Sequence, residues 1–253
     1  MKRSALAVPA AAIAFAAMLL LDAAPAAAQA SDEPKNLKVL PKTMSRREVN
    51  EVMRSFTQAL GVRCIECHVS TRPGSDRLED LDFASDEKPD KEIARQMMRM
   101  VGSINDQIAR MGIKDAPQVR CITCHHGVKR PETLAALMTR RVGEKGVDAA
   151  IADYRRLRER YYGRSAYDFA PHSLNEVAGG LAESRKDYDG AIRLLQLNLE
   201  FAPRDADTHA TLGRVHMAKG DAAAAIASLE KALELDPGHR AAKALLERAK
   251  AGR

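Results

Sequence analysis

All four cysteines of this 253-residue chain stand in two copies of one pattern, RCIECHV at residues 63–69 and RCITCHH at residues 120–126. In each copy two residues separate the cysteines and a histidine follows directly. Four cysteines outside the cytoplasm ordinarily form disulfides, and two Cys-x-x-Cys pairs also suit a four-cysteine zinc site. Neither accounts for the histidines. Histidine is 7 of 253 residues, so two given positions are both histidine by composition only about once in 1300, and the residue after each pair belongs to the motif. Cys-x-x-Cys-His is the attachment sequence for c-type haem. The thiols of Cys64 and Cys67, and of Cys121 and Cys124, add to haem vinyl groups as thioethers. These anchors hold the ring close enough for His68 or His125 to reach the iron as proximal ligand. Two covalently bound haem c groups are expected.

The compartment agrees. The chain begins MKRSALAVPAAAIAFAAMLLLDAAPAAAQA. Lys2 and Arg3 precede an apolar run from Ala5 to Leu21, and Ala28-Gln29-Ala30 is a small-x-small cleavage site, so residues 1–30 read as a signal peptide. The run is alanine-rich, contains Pro9 and stops at Asp22, whereas a spanning helix needs about 20 strongly apolar residues. No later segment is suited to cross a bilayer. The mature chain is expected in the periplasm, the side of the membrane on which haem c is attached.

A six-coordinate haem needs a second axial ligand, and each motif has a helix upstream. SRREVNEVMRSFTQALG (45–61) opens with a Ser45–Glu48 capping box and closes on Gly61. Val49, Val52, Met53, Phe56 and Leu60 form one stripe on it. PDKEIARQMMRMVGSINDQIARMG (89–112) starts with a proline, ends on a glycine, and carries a stripe of Ile93, Met97, Met100, Ile104, Ile108 and Met111. Methionine on an apolar face is ordinarily core filling. Here the iron needs a ligand, and the only other histidine from Ser31 to Pro131, His126, is beside the proximal His125. Histidine–methionine coordination is therefore expected at both irons. Residues 70–90, between the two segments, read as a surface loop with at most one short turn, and no role is assigned to their acids.

The stretches NLKVLP, MRSFTQALGVRCIECHV, ARQMMRMVGSIN and VRCITCHHGVKRP resemble one haem-binding half of the cytochrome subunit of photosynthetic reaction centres, from Asn36 to Pro131. That resemblance implies ligating methionines at Met53 and Met97, with Met100 in reserve for the second site. It covers one half of the family's four-haem arrangement.

After Pro131 the chain turns alanine-, leucine- and charge-rich. A 34-residue period appears, closed by Pro203 and Pro237, and it resembles the tetratricopeptide pattern. Leu212, Gly213, Ala225, Leu229, Ala232 and Pro237 fit the unit 206–239. Ala178, Gly179, Ala182, Ala191, Leu195 and Pro203 fit the unit 172–205, with Asn198 a departure. Residues 146–162 look like the second helix of a degenerate earlier unit, and 240–250 like a capping helix. His172, His209, His216 and His239 fall at repeat positions or turns and read as structural. The fold class is all-α, with haem-binding helices at 31–131 followed by a TPR-like solenoid at 132–253.

The net charge of +6 does not require nucleic acid. From Ser31 to Arg130 there are 18 Lys or Arg against 15 Asp or Glu, and four ionised propionates would bring that segment to neutral or slightly acidic. Three classes of function stay open: electron transfer between redox proteins, a haem enzyme such as a dihaem peroxidase with one open iron site, or a scaffold whose repeats gather a protein or peptide partner. Methionines over both haems favour the first.

Overall fold

The structure, a computed structural model, describes residues 33–252. The expected signal peptide lies outside the described residues. Among the described residues the fold is helical, apart from one pair of two-residue strands. Helix α1 (Arg46–Leu60) begins as its sequence announces: the Ser45 hydroxyl accepts from the Glu48 N–H, and the Glu48 carboxylate accepts from the Ser45 N–H at 2.8 Å. It ends at Gly61, with φ 64°. Helix α2 (Pro89–Arg110) has proline in its first turn and stops one residue before Met111, with Gly112 at φ 67° beyond. The five-residue α3 (Cys121–His125) holds the second cysteine motif and packs against α1.

Residues 70–90 are more ordered than the sequence suggests. Strand β1 (Val69–Ser70) pairs antiparallel with β2 (Leu81–Asp82), and a single 3₁₀ turn at Leu78–Asp80 leads into the second strand. The acids hold the turns together. Buried Asp80 accepts from the Ser75 hydroxyl at 2.6 Å, and Asp82 accepts from the Ala84 and Ser85 N–H groups.

Six further helices follow: α4 (Leu134–Tyr161), α5 (Pro171–Gly180), α6 (Tyr188–Phe201), α7 (Ala206–Lys219), α8 (Ala222–Leu235) and α9 (Arg240–Ala251). Gly146, at φ 81° and ψ 171°, breaks α4 into two helical stretches. From α5 onward each helix packs chiefly on its neighbours in sequence, as stacked repeats do. The 34-residue period is visible in the caps: Asp187 and Asp221, one period apart, each accept from an N–H three residues on. Asp205 and His239 repeat the device.

Asn198, which breaks the small-residue pattern, is fully buried and hydrogen-bonded. Its amide donates to the Pro171 carbonyl at 2.8 Å, to Asn175 Oδ1 at 3.1 Å and to the Thr208 hydroxyl at 3.1 Å. A buried amide left without such partners would cost about 1–3 kcal/mol.

The apolar cores sit almost wholly after Pro131. One gathers Leu134, Met138, Tyr154, Leu174, Leu195 and Val215, and the other gathers Leu229, Ala232 and Leu246. Among the described residues before Pro131, the buried apolar side chains are Ala59, Leu81 and Val128 alone. The two halves of the chain are therefore held together by different means.

Gly213 shows how tightly the repeats close. A Cβ there would stand 2.4 Å from Leu229 Cγ and 2.7 Å from its Cδ2, both in the core. Gly213→Ala should therefore destabilise the chain by about 1–3 kcal/mol through overpacking. Gly180, helical and open to solvent, should gain about 0.5–1 kcal/mol as alanine. Thermal unfolding of the two variants tests the pair.

Candidate functional site

The first motif forms a single 3₁₀ turn over Cys64–Glu66, in which the Cys67 and His68 N–H groups both donate to the Cys64 carbonyl at 3.2 and 3.0 Å. The second is the one-turn helix α3, opened by the Arg120 N–H donating to the Thr123 hydroxyl at 3.0 Å. Both turns place a cysteine pair and its histidine within one revolution of backbone. All four cysteines are free thiols, and among the described residues no group of three or more His, Cys, Asp or Glu gathers to hold a metal ion. Burial, then the nearby Asp90, pushes the Cys67 thiol up, and burial pushes the Cys121 thiol up.

The two histidines are prepared differently. His68 is buried, and its Nδ1 has no hydrogen-bond partner. The Phe83 ring meets it edge-on at 4.9 Å. Burial, then the charge of Lys91, pushes its pKa down to about 4, so the imidazole is neutral at pH 7. An unpartnered buried ring nitrogen costs about 1–3 kcal/mol. His125 Nδ1 lies 3.0 Å from the Val128 carbonyl. A carbonyl only accepts, so Nδ1 carries a proton, and Nε2 is the ring nitrogen left for a metal bond. His126 is exposed and caps α3 in the left-handed region at φ 48°.

Met53 is half-buried on α1. On α2 the stripe faces outward, with Ile93 51%, Met97 43% and Met100 50% exposed. The one side chain that α2 buries is charged, Arg95. Polar links tie this helix to the rest: the Lys88 ammonium donates to the Ile65 carbonyl, and Asn105 exchanges two hydrogen bonds with the Val119 backbone at 2.8 and 2.9 Å. An amphipathic helix with its apolar face uncovered by protein fits a planar apolar group laid against it.

Sequence reasoning missed two features. The first is Asp86, on which Lys38 (2.6 Å), Arg95 (2.8 Å) and Lys91 (3.1 Å) converge. Lys91 also donates to the Phe83, Ala84 and Ser85 carbonyls, which holds the loop bearing Phe83 against His68. The second is the seat of the second motif. The sequence pairs α1 with the first motif, yet the Gly127 N–H donates to the Ala59 carbonyl at 2.8 Å, so the second motif rests on α1 as well. A Cβ on Gly61 would stand 2.0 Å from the Gly127 carbonyl oxygen. Lys129 then pairs with Glu66, inside the first motif, and with Asp90 at the start of α2 (2.9 Å). The only signal for these contacts was the two glycines, and the helix cap explained Gly61 locally.

Asp86 supplies a pH prediction. The Arg95 guanidinium, with Lys38 beside it, holds this carboxyl well below the usual carboxylate range. A depressed folded pKa stabilises above the unfolded value, near 3.9, and is lost as pH falls below it. Asp86→Asn should therefore raise hydrogen exchange in residues 81–88 at pH 7, and the gap to the parent chain should narrow below about pH 4.

Residues 182–249 match the tetratricopeptide repeat. Among solved structures, the first TPR of Spaghetti (RPAP3) bound to HSP90 peptide SRMEEVD is similar at 18% identity, covering 47% of this chain and 89% of that one, with a TM-score of 0.33. The second TPR domain of human RPAP3 in complex with HSP70 peptide SGPTIEEVD is similar at 20% identity, covering 46% and 92%, also with a TM-score of 0.33. No curated protein matches. Residues 10–159, more than half the chain, match the photosynthetic reaction centre cytochrome C subunit, a family in which covalent haem c is implied, and the chain belongs to that family.

Proposed function

We propose that this chain is a periplasmic dihaem c-type cytochrome that passes electrons between redox proteins, with its repeats docking a protein partner. The observation that carries the reading is the missing protein core before Pro131. Some hundred residues with three buried apolar side chains cannot offset the conformational entropy of an ordered fold by protein packing alone. Two covalent apolar planes between α1, α2 and the motif turns would. Haem iron bound there supplies one-electron chemistry, cycling between ferric and ferrous states.

The residues divide the work. Cys64 and Cys67 anchor one haem and Cys121 and Cys124 the other, while His68 and His125 offer ring nitrogens as proximal ligands. Met53, and Met97 with Met100 in reserve, would offer thioether sulfur. Such sulfur favours the ferrous state and raises the potential, which suits a carrier. Membership of a cytochrome subunit family supports electron transfer over the peroxidase and scaffold alternatives. The division at about residue 131 is supported by the cores, since both clusters draw only on residues from Leu134 onward. A fragment beginning at Thr133 is expected to be helical and free of haem.

Mass spectrometry of the exported protein should give the chain from Ser31 plus two haems. Cys64→Ala combined with Cys67→Ala should remove one haem and leave the other. A chain holding zinc or disulfides in place of haem would end the proposal. For the axial ligands, Met53→Ala should abolish the sulfur-to-iron charge-transfer absorption of one haem and lower its potential, and Met97→Ala should do so at the other. Fast cyanide binding by the unmodified ferric protein would instead point to an open iron and the enzyme reading.

A further inference from the structure

The two haem motifs are 57 residues apart in the chain, yet one short piece of backbone holds both. Gly61 ends α1 three residues before Cys64, and Gly127 follows His125 by two. The Gly127 N–H donates to the Ala59 carbonyl at 2.8 Å. Gly61, at φ 64°, leaves no room for a Cβ, which would stand 2.0 Å from the Gly127 oxygen and 2.9 Å from its carbonyl carbon. Backbone atoms cannot yield as a flexible side chain can. On the other side Lys129 reaches Glu66, between the first pair of cysteines, and Asp90 at the start of α2. An exposed ion pair contributes only about 0–1 kcal/mol, so the glycine contact dominates and Lys129 assists.

We infer that the Gly61–Gly127 backbone contact, assisted by Lys129, is a positioning device that fixes the separation of the two haem attachment turns and hence the rate of electron exchange between them. This rests on the dihaem function proposed for the chain. Tunnelling falls exponentially with distance, so a small outward shift of α3 from the end of α1 slows exchange while leaving each haem ligated as before. Gly61 and Gly127 are not themselves ligands and act through the turns that carry them.

Gly112 provides the control. It shares the left-handed conformation at φ 67° but has nothing within 4 Å of a built Cβ. Gly112→Ala therefore carries the backbone strain of Gly61→Ala without its collision. The test uses the haem-loaded full chain and measures haem count by mass, the magnetic dipolar interaction between the two ferric irons by pulsed electron paramagnetic resonance, and intramolecular electron equilibration after a flash. Gly61→Ala is expected to keep two haems but show a weaker iron–iron interaction and equilibration slowed several-fold, with Gly112→Ala like the parent. Equal behaviour of Gly61→Ala and the parent overturns the inference. Where Gly61→Ala fails to fold, hydrogen exchange at the Gly127 amide of the loaded parent decides: protection supports the contact, and free exchange overturns it. Fewer than two haems in the parent removes the dihaem function and this inference with it, whereas two haems with unchanged coupling removes the inference alone.

Discussion

Everything in the first half of the molecule depends on apolar surface that the protein does not cover for itself. Helix α2 turns Ile93, Met97 and Met100 outward, buries only the charged Arg95, and is tied down by hydrogen bonds and ion pairs rather than by packing. Links of that kind set direction and register but contribute little net stability each, about 0.5–1.5 kcal/mol for a hydrogen bond and less for an exposed ion pair. Burial of methionine and isoleucine side chains contributes more, roughly 1.5–3 kcal/mol apiece, and it waits for a partner surface. In the function proposed for the chain a covalently attached porphyrin would supply that surface, and attachment and folding of this segment would be one event. Metal-dependent small domains obey the same logic.

The second half follows different physics. Each repeat helix buries its apolar face on the next, with small residues such as Gly213 allowing close approach, and stability accumulates from neighbour to neighbour. The proposed function joins a redox segment held by its prosthetic groups to a repeat segment with an apolar core of its own. Ion pairs such as Arg155–Glu200 at 2.8 Å brace the stacked helices across the repeats.

The sequence disclosed what is local. The Cys-x-x-Cys-His turns, the Ser45–Glu48 box, the Gly61 cap and the 34-residue period each lie within a few residues or one repeat, and the structure forms the helices and caps they announce. What it concealed is long-range. Asp86 reads as one more acid in a polar loop because its partners, Lys38 on one side and Arg95 on the other, are set by the tertiary fold. Gly61 had a sufficient local explanation as a helix cap, which hid its contact with Gly127. Asn198 looked like a lapse in the repeat until Asn175 and Thr208 stood beside it. Ligation itself, Met53 and Met97 included, rests on chemistry at these turns and is open to direct test.

The central claim is that covalent haem is the core of residues 33–131, and site-resolved hydrogen exchange tests it most directly. The parent chain should be compared with one in which Cys64, Cys67, Cys121 and Cys124 are all alanine. Without attachment, amides of α1 and α2 should lose their protection while those of α5 to α9 keep theirs. Equal protection of α1 and α2 in the two proteins would mean that the segment folds without haem, and would contradict the account.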